Sequence, residues 1–330
     1  MNRWVILTAA ISIFAATETI GNFAARAQPD GASEPRYTKD RLSEARMAEL
    51  VAGPMALVRN GSGDAAERAF EDIVQAAARR HGNGSVDVAD RLTAFGVLLY
   101  TEGLRSPDDE LRRRSLPYLQ RAVQAYRAAF GPSHPEVALA LNSYADVHTA
   151  LNPDDPPPAA EAALEEAYNI RVSSLGHANH ETLSSLLRLA ELRSLPSRTR
   201  GDPAKIAAAA AMFRGGILHL RSGSGQSRDE RPATWYFGLA RLYARHRQLS
   251  NALGIVEEAE RDLQGDAHCV ALVTAAMEFA ELLADEGYEE QAQALRMRYP
   301  FERLLDCPDN NESLGRMPVA GSLRARWRRS

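Results

Sequence analysis

The chain is 330 residues long, 25% charged and 45% hydrophobic, with a formal net charge of −4. That near balance excludes wholesale attraction to nucleic acid or to an anionic membrane surface. Alanine, leucine, arginine and glutamate dominate while valine and isoleucine are sparse, so helices are favoured over strands.

Residues 1–27 read as an export signal. Arg3 supplies the positive end, Trp4 to Ala16 form an apolar run of about 13 residues, and Ala25-Arg26-Ala27 fits a small-x-small cleavage site. The run falls short of the roughly 20 residues needed to span a bilayer. Cleavage leaves Gln28 first, and with no cysteine there a lipid anchor is not indicated. An uncleaved amino-terminal anchor stays open as the alternative, because Thr17 to Asn22 is largely polar and long for a cleavage region. No second segment is apolar for long enough to cross a membrane, so the mature chain is expected in the periplasm or outside the cell.

Residues 28–63 form a leading segment with a capping helix over 38–58, broken or kinked at Pro54. Residues 64–306 carry repeats. Ala122-Val123-Gln124-Ala125-Tyr126 to Phe130-Gly131 is echoed by Ala167-Tyr168-Asn169-Ile170 to Leu175-Gly176, a step of 45 residues from glycine to glycine. Each glycine ends a helix cheaply because it accepts a positive φ. Pro135, suited to a first helical turn, and Asn179, suited to a cap, then start the next helix.

Between these turns two amphipathic helices alternate. Leu141, Tyr144, Ala145 and His148 recur as Leu186, Leu189, Ala190 and Arg193. The pattern returns at Leu92, Phe95, Gly96, Leu99, at Tyr236, Leu239, Ala240, Tyr243, and at Phe279, Ala280, Leu283. Apolar residues three and four apart make one sticky face, and the small residue in each set lets a neighbouring helix come close. Asn152 to Pro158 and Ser194 to Pro203 interrupt the units and read as loops.

These residues resemble the tetratricopeptide repeat family. Leu239, Ala240, Tyr243, Ala252, Val256 and Ala259 fall at its Leu-Gly/Ala-x-x-Tyr and Ala-x-x-x-Phe-x-x-Ala positions. Phe130-Gly131-Pro132-Ser133-His134-Pro135 is similar to the Leu-Gly-x-x-His-Pro join of the kinesin-light-chain subtype. Asn179-His180 departs from that join, and Arg247 stands where the family usually has glycine. The resemblance implies an all-α fold, a right-handed α-α superhelix of about five helical pairs, whose first helices line a concave groove for a peptide or protein. In the family register the groove positions are Thr93, Tyr100, Asn142, Asp146, Glu191, Phe237, Arg241 and Glu281. Three of these are acidic against one arginine, so the resemblance points to a basic or mixed-charge partner and away from a carboxylate clamp.

Catalytic constellations are not evident. The eight histidines are scattered; the nearest pair, His177 and His180 beside Glu181, lacks a third and fourth ligand for zinc. Arg221 to Ser227 has neither a nucleophile elbow nor the lysine of a phosphate loop, and reads as a flexible loop. No catalytic residue, metal or cofactor is expected.

Cys269 opens the first helix of the last pair and Cys307 follows its second. In an antiparallel pair those ends are neighbours, so a disulfide is expected to staple the terminal unit; two unpaired buried thiols are the alternative.

Residues 307–330 lose the periodicity and end in the basic run Leu323 to Arg329 with Trp327. A solvated disordered tail is the plain reading. Contact with anionic lipid through arginine and tryptophan is the other, and no nucleic-acid partner is expected.

The sequence thus points to a non-catalytic protein-binding scaffold of the bacterial envelope or secreted space. The rivals are a peripheral envelope adaptor docking through the tail and a helical accessory domain of an enzyme complex.

Overall fold

The computed structural model describes residues 43–105, 109–222, 232–264, 268–300, 303–304 and 307. The export signal, most of the basic tail and Gly223 to Ser227 lie outside them. Among the described residues all regular structure is helical. The chain divides into two compact units, residues 1–177 and 178–330, each with its own helix packing.

The first unit opens with α1 (Glu44–Leu50) and α2 (Ala52–Arg59). The leading helix breaks at Val51, not at Pro54 itself. A proline ring collides with the carbonyl four residues earlier in a continuous helix. The backbone therefore opens just ahead of Pro54, which then sits in the first turn of α2. Next come α3 (Gly63–His81), α4 (Val86–Arg105), α5 (Glu110–Phe130), α6 (Pro135–Leu151) and α7 (Pro158–Leu175). Helices α4 and α5 pack as one antiparallel pair and α6 and α7 as another, with α3 and α1 laid on α4.

An aromatic cluster closes the start of this unit. Phe70 of α3 stacks on Phe95 of α4 at 4.0 Å, and Tyr118 of α5 meets both edge-on at 5.4 and 4.9 Å. Such pairs stabilise by about 0.5–1.5 kcal/mol beyond the area they bury. Ordinary pairing at the turns does the rest. His134 caps α6, its Nδ1 accepting from the Glu136 amide at 3.3 Å, and Asn179 Oδ1 accepts from the Glu181 amide at 2.8 Å at the next start.

Gly131 and Gly176 adopt φ of 88° and 84° with ψ of 162° and 164°. That region is nearly closed to residues with a Cβ. Gly131→Ala is expected to destabilise by about 1–3 kcal/mol, measured by urea unfolding, although open space surrounds the site.

The second unit contains α8 (His180–Arg193), the short α9 (Pro196–Thr199), α10 (Pro203–Ser222), α11 (Pro232–Arg245), α12 (Leu249–Asp262), α13 (Cys269–Asp285) and α14 (Glu289–Arg298). Its pairs are α8 with α10, α11 with α12, and α13 with α14. With the two pairs of the first unit, the described residues hold five packed helix pairs, the number expected. Arg221 and Ser222, expected in a loop, instead close α10.

Two glycines seat α10 and α11 against each other. A Cβ on Gly216 of α10 would lie 2.3 Å from the Trp235 ring of α11, and one on Gly238 of α11 would lie 2.3 Å from the Phe213 ring of α10. Each helix thus offers a bare backbone patch to the other's aromatic ring. The loop expected from Ser194 to Pro203 carries α9 and docks it: Thr199, fully buried, places Oγ1 2.9 Å from Nε2 of His246 at the end of α11. Burial, and then neighbouring Arg245, hold the His246 imidazole below its usual pKa.

The disulfide is present. Cys269 and Cys307 are bonded with their Cα atoms 5.6 Å apart, tying the start of α13 to the segment after α14. Cys307 and Tyr299 are buried there, and Tyr299 and Arg298 both hydrogen-bond Glu260 of α12.

Candidate functional site

The first helices of the pairs are α4 and α6 in the first unit and α8, α11 and α13 in the second. Four of the eight expected groove residues on them are buried. Thr93 and Tyr100 are 2% and 1% exposed, Asn142 4% and Phe237 1%. Thr93 Oγ1 donates back to the Ala89 carbonyl at 2.9 Å. Nearby, the Tyr126 hydroxyl donates to Asp90 at 2.7 Å. Tyr100 packs in a cluster with Leu119, Val147 and Ala150. Phe237 meets Phe279 edge-on at 5.9 Å, closing the seam between α11 and α13 with apolar contact. These four are therefore core, and offer a partner nothing on the surface.

The other four keep partly exposed side chains. Asp146 lies on α6 in the first unit. Glu191, Arg241 and Glu281 lie on α8, α11 and α13 in the second, and there they join a continuous charged row. Arg241 reaches Glu191 at 3.8 Å and Glu278 at 3.7 Å; one turn further along α13, Glu281 accepts from Arg296 of α14 at 3.2 and 3.0 Å. Glu278 was missed by family register alone. The signal was there, since it stands three residues before Glu281 and so shares its helical face.

Glu278 differs from its neighbours. Its side chain is 21% exposed against 39% for Glu191. Burial pushes its carboxyl above the ordinary glutamate range; Arg241 pulls it down and Glu191 pushes it up again. The row can therefore hold cations or amide donors from outside while its arginine keeps it from being purely acidic. Along this row no serine, threonine or cysteine side chain is among the charged partners. Among the described residues no three His, Cys, Asp or Glu side chains are grouped to hold a metal ion. Of the histidines, His134 serves as a cap, and His148 stacks edge-on to Tyr144 at 4.5 Å, its pKa lowered by burial. Among the described residues no helix is long and apolar enough to cross a membrane.

A second surface lies between α10, α11 and α12. Arg214 of α10, Tyr243 of α11, and Asn251, Gly254, Glu258 and Arg261 of α12 line an open cleft of about 450 Å³. Arg221 donates to Asp262 at 2.6 Å and to the lining residue Glu258 at 3.1 Å. The Tyr236 hydroxyl donates to the same Asp262 at 2.5 Å, which binds α10, α11 and α12 together. This polar network is a strut between helices.

No protein-family profile matches the sequence, and no curated protein is similar to it. Among solved structures, the chain is similar to the nearly identical TPR-like repeats of a kinesin light chain from Podosopora anserina and to a variant of the same protein. Identity is 16% in both cases, 66% of this chain and 95% of the other are covered, and the TM-scores are 0.47 and 0.48. The helix pairs described above, and not this likeness, define the architecture.

Proposed function

We propose that the protein is a non-catalytic interaction scaffold, exported through residues 1–27, that holds a basic or mixed-charge protein segment against the first-helix face of its second unit. The observation that carries this reading is the row Glu191, Arg241, Glu278 and Glu281. Three successive first helices each contribute partly exposed charge to it, while the aromatic core behind is closed. A rigid, prepaid scaffold of this kind loses little entropy on binding, so exposed charges at fixed spacing select a partner of matching pattern.

Acidic and basic peptides of matched length, titrated by fluorescence anisotropy, test it. The basic set is expected to bind more tightly and to weaken as salt rises, since exposed charges are screened beyond about 8–10 Å. Reversing the charge with Glu191→Lys and Glu281→Lys together should lower that affinity by about tenfold or more, which corresponds to roughly 1.4 kcal/mol. Tighter binding of the acidic set by the unaltered protein would sink the proposal. Fractionation of a bacterial host tests the location: the full chain should reach the envelope, and a chain lacking residues 1–27 should stay in the cytoplasm.

A further inference from the structure

Arg241 sits where three first helices of the second unit converge. Its terminal nitrogens approach Glu191 on α8 and Glu278 on α13 at 3.8 and 3.7 Å. Both distances are those of ion pairs and exceed hydrogen-bond length. One cation is thus divided between two carboxylates and committed fully to neither.

We propose that this divided arginine is a proton-sensitive joint: when Glu278 takes up a proton, Arg241 passes to Glu191, and the first-helix face loses one negative charge.

Glu278 is the member that takes the proton because it is the less exposed carboxylate and has the second carboxylate close by. Three other cations on elements packed against α13 are held by different partners. Arg296 of α14 holds Glu281 and Glu289, Arg298 of α14 holds Glu260 of α12, and Arg247, between α11 and α12, donates to the Glu286 carbonyl. Arg241 from α11 and Glu191 from α8 are the two that act on Glu278.

The sign follows from linkage. A carboxyl raised in the folded state binds its proton more tightly there than in the unfolded chain. Ionised Glu278 therefore costs stability above its folded pKa. That cost disappears as the pH falls from the folded value to the ordinary glutamate value of about 4.3. A helpful salt bridge would behave oppositely and lose stability in acid.

Two measurements on the full chain test the joint without any partner. Carbon-13 NMR of the side-chain carboxyls, with Glu278 assigned by its absence in Glu278→Gln, should give a midpoint above the ordinary glutamate value. That midpoint should fall in Glu191→Gln, where the repelling carboxylate is gone, and rise in Arg241→Met. Thermal melts across the same range should show the unaltered protein gaining on Glu278→Gln as the pH falls. A midpoint at or below the ordinary value, one unmoved in both neighbour variants, or an unaltered protein that fails to gain on Glu278→Gln would overturn the joint. Because no peptide is involved, failure here is separate from failure of the proposed binding role.

Discussion

Trp235→Ala is expected to cost about 3–5 kcal/mol, the range for removing a large aromatic side chain from a packed core. Trp235 is 1% exposed and heads the fully buried side chains by volume. Its ring lies over Gly216 and meets Phe213 edge-on at 6.4 Å. The surrounding helices cannot close on the space, because Phe213 is itself held over Gly238. The reverse change, Gly216→Ala, should also destabilise, by about 1–3 kcal/mol from overpacking, despite alanine's better helix propensity of roughly 1 kcal/mol. Combining Trp235→Ala with Gly216→Leu should recover part of the loss, since the added side chain enters the space the ring leaves. Urea unfolding of the three variants, followed by far-ultraviolet circular dichroism, reads all of this. With Gly216→Leu measured alone as well, strict additivity in the double variant would show that the two residues do not share one space.

Reduction of the Cys269–Cys307 disulfide is the second large expected effect. The bridge separates its ends by 38 positions, and the loop-entropy relation gives roughly 4 kcal/mol for a closure of that size. The loss should be local. Hydrogen exchange on reduction should accelerate in α13, in α14 and around Tyr299, while the α4–α5 pair of the first unit keeps its protection. A Cys269→Ser/Cys307→Ser variant should reproduce the reduced protein without reductant. Equal loss of protection across both units would contradict a local staple.

Much of the architecture was legible because helix periodicity and turn chemistry are local. Gly131 and Gly176 mark ends, Pro135 and Asn179 mark starts, and the structure places them in those roles. The disulfide was legible for the same reason: an antiparallel pair returns its far end to its beginning. What could not be read depends on which distant side chain arrives opposite. Nothing near Gly216 announces Trp235, and nothing near Thr199 announces His246. Four of the expected groove positions, Thr93, Tyr100, Asn142 and Phe237, are buried for a related cause. Family register assumes a first helix with one face free, but α11 is covered on several sides, with Trp235, Tyr236, Phe237 and Leu239 all buried. Of the two groove positions expected on it, Phe237 is buried and Arg241 keeps contact with solvent. Spacing within α13 puts Glu278 on the face of Glu281, but its sharing of Arg241 with Glu191 shows only when α8, α11 and α13 are read together.

Arg247 carries a consequence for how the second unit melts. It holds a φ of 59°, a conformation that Gly287 adopts at the corresponding turn after α13. A non-glycine residue there costs on the order of 1 kcal/mol. In return its guanidinium lies 5.6 Å from the centre of the Tyr288 ring and donates to the Glu286 carbonyl at 2.9 Å. Local discomfort in one bend is thus exchanged for a tie to the next. Neighbouring pairs joined this way behave as coupled spins in a short one-dimensional array, favouring a single concerted transition over a stepwise fraying inward from the end.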